Sequence, residues 1–156
     1  MKKQGFQHAK ALGQNFLSDE QILSDIVAVS GVTPEDAVFE VGAGMGDLSF
    51  FLAQSCRKLL SVEVDDRLLP FLKLKLNGLN NVDILHSDVQ KLNLVQLLAP
   101  LPPLRVVANL PYYLTTPLLE TFFHLEVPLL SVSVMVQKEA GQRVLAGPKE
   151  DGWGPL

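Results

Sequence analysis

The stretch that decides the fold of this 156-residue chain reads Glu40-Val41-Gly42-Ala43-Gly44-Met45-Gly46-Asp47, and it directly follows the apolar run Ala37-Val38-Phe39. An apolar run that ends in closely spaced glycines predicts a buried strand and then a sharp turn, because glycine lets the backbone turn and approach a ligand closely. The helix predicted after the turn would present an N-terminus that favours a carboxylate or a phosphate. A dinucleotide fingerprint would place its third glycine where Asp47 stands, so the turn disfavours NAD. A purely structural turn is the alternative.

The same alternation of strand and helix continues along the chain. Five strands are predicted near Ala37–Val41, Leu59–Val64, Val82–His86, Arg105–Asn109 and Leu129–Val136. The helices between and after them are predicted near Asp47–Ser55, Asp66–Leu76, Asn93–Leu98, Pro117–His124 and Lys138–Leu145. This order implies right-handed crossovers and an α/β fold with a doubly wound, mostly parallel sheet. Ligands bind to such sheets beyond the carboxyl ends of the strands.

Two helix starts carry local signals. Ser18, with Gln21 three residues later, predicts the cap of a first helix that ends at Gly31. Thr116 before Pro117 predicts the cap and first residue of the helix after the fourth strand.

The amino-acid composition limits the classes of protein to which the chain can belong. The chain is 47% hydrophobic with a mean hydropathy of +0.22, which is typical of strands covered on both faces. It has no apolar run of membrane-spanning length and no apolar signal-peptide core near Met1. Cys56 is the one cysteine, so an internal disulfide is excluded and a reducing compartment is favoured. We therefore expect a cytoplasmic protein that does not enter a membrane.

Charge bears on nucleic-acid partners. The net charge of −4 disfavours RNA binding through the whole surface. Basic residues gather near the N-terminus, where Lys2, Lys3, His8 and Lys10 precede any acidic residue. That segment is either a contact for RNA phosphates or a solvated tail. The three histidines have no metal-ligand spacing, so we expect no metal.

Two acids are predicted to join the glycine turn at the strand ends. Glu63 ends the second strand, where an acid can accept both hydroxyls of a ribose. Asp88 follows the third strand, where its carboxylate could accept from an adenine amino group or serve only an Asx-turn. Together with Gly42 and Gly44, these acids predict a site for a nucleoside-bearing cofactor.

The chemistry is predicted from Asn109-Leu110-Pro111-Tyr112, which follows the fourth strand. The lone pair of an adenine amino nitrogen is delocalised into the ring, which makes it a poor nucleophile. If the Asn109 side-chain oxygen and the carbonyl of Leu110 or Pro111 accept its two protons, the lone pair is freed and the developing positive charge is stabilised. Tyr112 would stack on the base. A strand end with a proline turn and a core tyrosine is the alternative.

These motifs resemble a known family. The resemblance rests on four segments in order, Leu12-Gly13-Gln14-Asn15-Phe16-Leu17, the glycine turn, Asn109-Leu110-Pro111-Tyr112-Tyr113 and Met135-Val136-Gln137-Lys138-Glu139. Together they are similar to the KsgA-type small-subunit rRNA adenine dimethyltransferases. The resemblance implies a Rossmann-like class I methyltransferase domain that uses S-adenosylmethionine, releases S-adenosylhomocysteine and dimethylates two adjacent adenines of 16S rRNA during ribosome biogenesis.

The resemblance also implies roles for individual residues. The residues that would contact the cofactor are Asn15, Leu17, Gly42, Glu63, Asp88 and Asn109. Asn109 and Tyr112 would also hold the target adenine. Residues 1–17 would form a basic segment that covers the cofactor, and residues 18–156 the methyltransferase domain.

Family members continue beyond the point where this sequence ends. They add further strands and a small helical domain that helps to engage RNA, so we expect a truncated chain that lacks part of the RNA-binding surface. We expect a monomer with small-subunit rRNA as its partner. The alternatives are a resistance-type methyltransferase of large-subunit rRNA, a non-catalytic RNA-binding or ribosome-assembly fragment, and a nicotinamide oxidoreductase.

Overall fold

The computed structural model describes residues 17–101, 103–110 and 112–147, without the side chains of Tyr112, Ala140 and Val144. Its strands are β1 (Ala37–Val41), β2 (Lys58–Glu63), β3 (Val82–His86), β4 (Leu104–Asn109) and β5 (Leu129–Met135). Its helices are α1 (Glu20–Ser30), α2 (Asp47–Ser55), α3 (Leu69–Lys75), α4 (Leu94–Leu98), α5 (Tyr112–Phe123) and α6 (Lys138–Leu145). A short 3₁₀ turn spans Val89–Lys91.

The strands form one parallel sheet in the order β3-β2-β1-β4-β5. This confirms the predicted doubly wound α/β architecture, and each strand bound differs from its prediction by at most one residue. The strand order reverses between β1 and β4, where Val41 pairs with Ala108. The carboxyl ends of these two strands therefore meet at the switch point, which is where open α/β sheets bind ligands.

Helices cover both faces of the sheet centre. Successive strand residues point to opposite faces, and all five residues of β1 are buried. Phe39 packs with Leu98 of α4 and with Phe122 of α5, whose ring lies edge-on at a centroid distance of 6.4 Å. Val38, on the other face, packs with Leu52 of α2 and with residues of α1. This two-sided burial accounts for the high apolar content of the chain.

The N-cap of the first helix lies one residue after the predicted cap. Asp19, not Ser18, is the N-cap residue, and its Oδ1 accepts from the backbone N–H groups of Gln21 at 3.0 Å and Ile22 at 3.3 Å. The Gln21 side chain donates instead to Asp25 at 2.9 Å. Aspartate and serine are equally good caps, so sequence alone ranks two adjacent candidates poorly. Gly31 ends the helix at φ 66°, as predicted.

The predicted start of α5 at Pro117 is wrong. The helix begins at Tyr112, and Pro117 lies inside it. Proline in that position removes one helical hydrogen bond, to the carbonyl of Tyr113. Burial of the apolar positions offsets this cost, since Leu118 and Phe122 are almost fully buried and Leu114 packs against the same cluster. The apolar stripe at helical spacing thus outweighs the cap signal of Thr116.

The loop after β2 shortens α3 at its start. The helix was predicted from Asp66 but begins at Leu69, with Pro70 in its first turn as expected. Asp65 accepts from the backbone N–H of Arg67 at 3.0 Å and from the guanidinium of the same residue. A side chain that bonds its own local backbone competes with helix formation, so these residues form a turn.

Candidate active site

A cavity of about 670 Å³ opens at the carboxyl edge of the sheet. Residues that follow all five strands line it, so it spans the switch point between β1 and β4. Six of the predicted site residues lie on its wall, namely Leu17, Gly42, Gly44, Glu63, Asp88 and Asn109. The structure therefore brings together the residues that the sequence had placed at separate strand ends.

The glycine turn is built from left-handed backbone conformations. Gly42, Gly44 and Gly46 have φ values of 77°, 61° and 90°, which side chains rarely adopt. A Cβ on Gly42 would stand 3.5 Å from the Asn109 carbonyl oxygen. The first glycine of the turn therefore lies directly against the backbone of the Asn109 motif.

Glu63 is held by the backbone of two loops. Its Oε2 accepts from the Gly44 N–H at 2.7 Å, and its Oε1 accepts from the N–H groups of Val64 at 2.9 Å and Asp65 at 2.8 Å. The residue is 1% exposed. A carboxylate has about four acceptor positions, and three are taken here. One is left for a ribose hydroxyl, so accepting two hydroxyls would require one backbone N–H to be released.

Asp65 and Arg67 fix the loop that carries Glu63. The guanidinium binds both carboxylate oxygens of Asp65, from Nε at 2.8 Å and from Nη2 at 2.6 Å. Hydrogen bonding to Arg67 is the main cause that holds the pKa of Asp65 below its usual value. Two donors to Glu63 come from this loop, so its rigidity sets the direction of the Glu63 carboxylate.

A second buried carboxyl group lies behind the glycine turn. Glu40, in β1, accepts from the Ser61 hydroxyl at 2.6 Å and is 1% exposed. Burial raises the pKa of Glu40 to about 7, and the negative charge of Glu63 adds to this rise. The Ser49 and Ser61 hydroxyls oppose this rise in the pKa of Glu40, although Ser49 makes no hydrogen bond of standard geometry among the described residues.

Asp88 caps the 3₁₀ turn and also lines the cavity. Its Oδ1 accepts from the backbone N–H of Gln90 at 3.1 Å and caps the 3₁₀ turn, and Lys91 lies 3.6 Å from its Oδ2. The Asx-turn alternative is therefore present in the structure. Because the residue also lines the cavity, its second oxygen is the one available to a ligand.

Asn109 ends β4 beside β5. It pairs with Met135, whose carbonyl accepts from the Leu110 N–H at 3.3 Å. Asn109 is half-buried and lines the cavity. Its side-chain amide has no hydrogen-bond partner among the residues that the structure describes, so it is free to bind a ligand.

Three predicted site residues cannot be placed in the cavity. Asn15 and Pro111 lie outside the described residues. Tyr112 begins α5, but its side chain is not described. Of the segment expected to fold over the cofactor, Leu17 is the described part, and it lines the cavity.

Sequence reasoning gave no role to several residues of the cavity wall. Val64 is 50% exposed although it follows the buried Glu63, and Tyr113 is 56% exposed next to the Asn109 motif. Gln137 lines the cavity after β5. Tyr113 and Gln137 belong to motifs that the sequence singles out, but their position depends on long-range strand pairing.

Within the described residues, no helix is long and apolar enough to cross a bilayer. The same part of the chain contains no group of three or more histidine, cysteine, aspartate or glutamate residues that could hold a metal ion.

Comparison with known proteins assigns the family. The sequence profile of the family described as "Ribosomal RNA adenine dimethylase" matches residues 5–156. The chain belongs to this family. This member of the ribosomal RNA adenine dimethylase family has the glycine turn, Glu63 and Asn109 in the wall of one cavity.

Two curated relatives of this family member carry the same name. "Ribosomal RNA small subunit methyltransferase A" of Alkaliphilus metalliredigens is 42% identical over 159 residues, covering 100% of this chain and 55% of the relative. The protein of the same name from Lysinibacillus sphaericus is 43% identical over 160 residues with the same coverage. The chain thus spans about half the length of the curated relatives that it matches.

Solved structures show the same fold. A dimethyladenosine transferase from Plasmodium falciparum superposes with a TM-score of 0.76 at 26% identity, covering 89% of this chain and 49% of that chain. The 23S rRNA methyltransferase ErmE superposes with a TM-score of 0.72 at 26% identity, covering 83% and 50%. The fold of this family member is therefore the Rossmann-like methyltransferase fold.

Proposed function

We propose that this chain forms the cofactor-binding and catalytic part of an rRNA adenine dimethyltransferase. It would transfer methyl groups from S-adenosylmethionine to the exocyclic amino nitrogens of two adjacent adenines in small-subunit rRNA. The observation that carries this proposal is the contact between the glycine turn and the Asn109 motif at the switch point. A Cβ on Gly42 would lie 3.5 Å from the Asn109 carbonyl oxygen, so a methyl donor bound at the turn would be next to the backbone of Asn109.

The wall of the cavity fits a nucleoside-bearing donor. Glu63 offers one unused acceptor position to a ribose hydroxyl, and the exposed Val64 beside it offers an apolar surface to a base. Asp88 offers a carboxylate oxygen to an adenine amino group. Leu17 covers part of the same cavity. S-adenosylmethionine, when bound, would supply an electrophilic methyl carbon attached to a sulfonium sulfur.

The residues of the Asn109 motif would prepare the acceptor nitrogen. Asn109 Oδ1 and the backbone carbonyl of Leu110 or Pro111 accept its two protons, which frees the lone pair for attack. S-adenosylmethionine, when bound, would supply the methyl carbon for the new N–C bond, and its sulfur would take the electron pair of the broken C–S bond. Asn109 then faces a positively charged nitrogen, whose charge its oxygen stabilises before one proton leaves to solvent. Tyr112 would stack on the flipped base.

Small-subunit rRNA is favoured as the substrate over large-subunit rRNA. The curated relatives, at 42% and 43% identity, are named for the small subunit, whereas ErmE, named for 23S rRNA, is 26% identical.

Residues 1–17 would cover the cofactor and residues 18–156 would form the methyltransferase domain. The partner would be an immature small ribosomal subunit in the cytoplasm, bound by a monomer without a metal.

Two measurements test the proposal separately. Calorimetry should show binding of S-adenosylhomocysteine and none of NAD, and the reverse result would contradict a methyltransferase site. The chain should then be incubated with tritiated S-adenosylmethionine and either immature small or large ribosomal subunits. Label in N6-dimethyladenosine of small-subunit RNA is the expected result. Label confined to large-subunit RNA would indicate a 23S rRNA methyltransferase, as ErmE is named. No label in either RNA would contradict the proposed catalytic activity.

A further inference from the structure

We propose that Gln137 reads the identity of the target base, by donating a hydrogen bond from its side-chain amide to a ring nitrogen next to the amino group that Asn109 holds. This inference rests on the proposed function and adds to it a residue that determines substrate specificity. It starts from the motif Met135-Val136-Gln137-Lys138-Glu139, whose side chains have no role in the proposed function. We call the Asn109 side-chain oxygen, together with the carbonyl of Leu110 or Pro111, the Asn109 cradle.

The Gln137 side chain has no structural task in the described part of the chain. Gln137 is the N-cap residue of α6, but its side chain makes no capping hydrogen bond. Its backbone carbonyl alone serves the helix, by accepting from the Gly141 N–H at 2.9 Å. The residue is exposed and lines the cavity. A glutamine amide on a cavity wall with no hydrogen-bond partner among the described residues is available to a ligand.

The sheet register places Gln137 close to the Asn109 cradle. Asn109 pairs with Met135, and the Leu110 N–H donates to the Met135 carbonyl at 3.3 Å. Gln137 follows Met135 by two residues, and its backbone is extended at φ −61° and ψ 147°. Two extended residues span about 7 Å. Gln137 therefore follows the end of β5 close to the end of β4 at Asn109, and both residues line the cavity.

The chemistry of adenine defines what Gln137 can bind. Once the Asn109 cradle accepts both protons of the amino group, the edge of the base next to that group offers only acceptors, the ring nitrogens N1 and N7. Asn109 Oδ1 and the backbone carbonyls are acceptors and cannot bind these nitrogens. A carboxamide has two N–H donors and can. Guanine carries a hydrogen on N1 and an oxygen in place of the amino group, so it would not fit the same donor and acceptors.

A double-mutant cycle that combines changes in the RNA base with changes at Gln137 tests this assignment. The chain, saturated with S-adenosylhomocysteine, is titrated with three short single-stranded RNAs that carry one adenine, one 1-deazaadenine or one 7-deazaadenine at the same position. Each deaza base replaces one ring nitrogen with C–H. One of them should bind the unaltered chain roughly tenfold more weakly than adenine, which is the effect of one lost hydrogen bond. Gln137→Ala should bind that RNA and the adenine RNA equally, because the cycle reports direct coupling.

Variants of the same helix control the measurement. Gln137→Glu keeps the side-chain length but removes the donors, so it should lose the same preference. Gln142→Ala removes an exposed glutamine of α6 that does not line the cavity, and should keep it. The affinity for S-adenosylhomocysteine should be unchanged in all three variants, and this also verifies their folding.

Three results would overturn the inference. In the first, Gln137→Ala lowers the affinity for all three RNAs equally, or leaves all three affinities unchanged. Either outcome would show that Gln137 does not contact a ring nitrogen. Loss of S-adenosylhomocysteine affinity in Gln137→Ala would place the residue in the cofactor site instead. Failure of the unaltered chain to bind any of the RNAs would overturn this inference but would leave the binding of S-adenosylhomocysteine, on which the proposed function also rests, unchanged.

Discussion

Gly44 donates its backbone N–H to Glu63 Oε2 at 2.7 Å, and this bond joins the glycine turn after β1 to the end of β2. The two residues are far enough apart in sequence that only the parallel pairing of the strands brings them together. The bond fixes the turn before any ligand arrives. A preformed turn lowers the ordering cost of binding, which otherwise reduces affinity.

Glu63→Gln should weaken S-adenosylhomocysteine binding by at least tenfold and lower the free energy of unfolding by about 1–3 kcal/mol. The amide would place an NH₂ group against backbone donors from Gly44, Val64 and Asp65, and one of them would lose its acceptor. Calorimetry and urea unfolding measure the two effects. Glu126→Gln, at an exposed position, is the control. Wild-type affinity in Glu63→Gln would remove the carboxylate from the binding site.

Local patterns were enough to predict the sheet but not the bonding of its loops. The apolar strands and the glycine turn are short-range signals, and the parallel sheet that they predict is confirmed. A cavity lies at the switch point of this sheet. The prediction that Glu63 accepts both hydroxyls of a ribose could not anticipate that three backbone N–H groups already bind it. Those bonds depend on how two loops pack, which no local pattern encodes.

Competing local signals explain the misplaced helix starts. Ser18 and Asp19 are adjacent residues of equal capping quality, so the choice between them depends on the path of the chain. At α5 the cap signal of Thr116 and Pro117 competed with an apolar stripe of Leu114, Leu118 and Phe122 that begins before them, and the helix begins at Tyr112. Tertiary packing therefore outweighed a correct but weaker local preference.

Asn109→Ala should reduce the rate of methyl transfer at least 100-fold, because removing one preorganised acceptor of the developing charge typically has an effect of this size. Its effect on S-adenosylhomocysteine affinity should be much smaller, since Glu63 and the glycine turn are unchanged. Single-turnover kinetics on immature small subunits and calorimetry separate the two effects. Asn77→Ala, at an exposed position after α3, should behave like the unaltered chain. Near-normal transfer by Asn109→Ala would exclude Asn109 from the catalytic role.

Glu40 should make stability depend on pH near neutrality. Burial raises its pKa from 4.5 to about 7, so its contribution to stability is fully present below pH 4.5 and is lost as the pH rises through about 7. Glu40→Gln stays neutral and can keep a hydrogen bond to Ser61. Between pH 5 and pH 8, the unaltered chain should therefore lose about 2–3 kcal/mol of unfolding free energy relative to this variant.

Urea unfolding at pH 5, 6, 7 and 8 measures the Glu40 effect. Glu35→Gln, at an exposed position just before β1, should leave the pH profile of the unaltered chain unchanged. Parallel profiles for Glu40→Gln and the unaltered chain would show that Glu40 keeps one protonation state, or an ordinary pKa, in the folded protein.

Arg105 and Asp36 form a largely buried ion pair at the opposite edge of the sheet from the cavity, with Nε and Oδ2 at 2.7 Å. Burial by itself would raise the pKa of Asp36, but hydrogen bonds from Arg105 and Thr33 outweigh it and hold the pKa below its usual value. Stability from this pair is therefore present above pH 4 and lost as the pH falls through the lowered pKa. Arg105 also donates to Ser131 of β5 at 3.0 Å.

Arg105→Met should lower the free energy of unfolding by about 2–3 kcal/mol at pH 7, because it leaves the Asp36 carboxylate buried without its partner. Lys58→Met breaks an exposed pair with Asp83 and should cost less than about 1 kcal/mol. Double substitution of Arg105 to Met and Asp36 to Asn should recover part of the loss, since no unpaired charge is left in the interior. Urea unfolding at pH 7 compares the three variants. Equal costs for Arg105→Met and Lys58→Met would mean that water reaches Asp36 and that the pair acts as a surface ion pair.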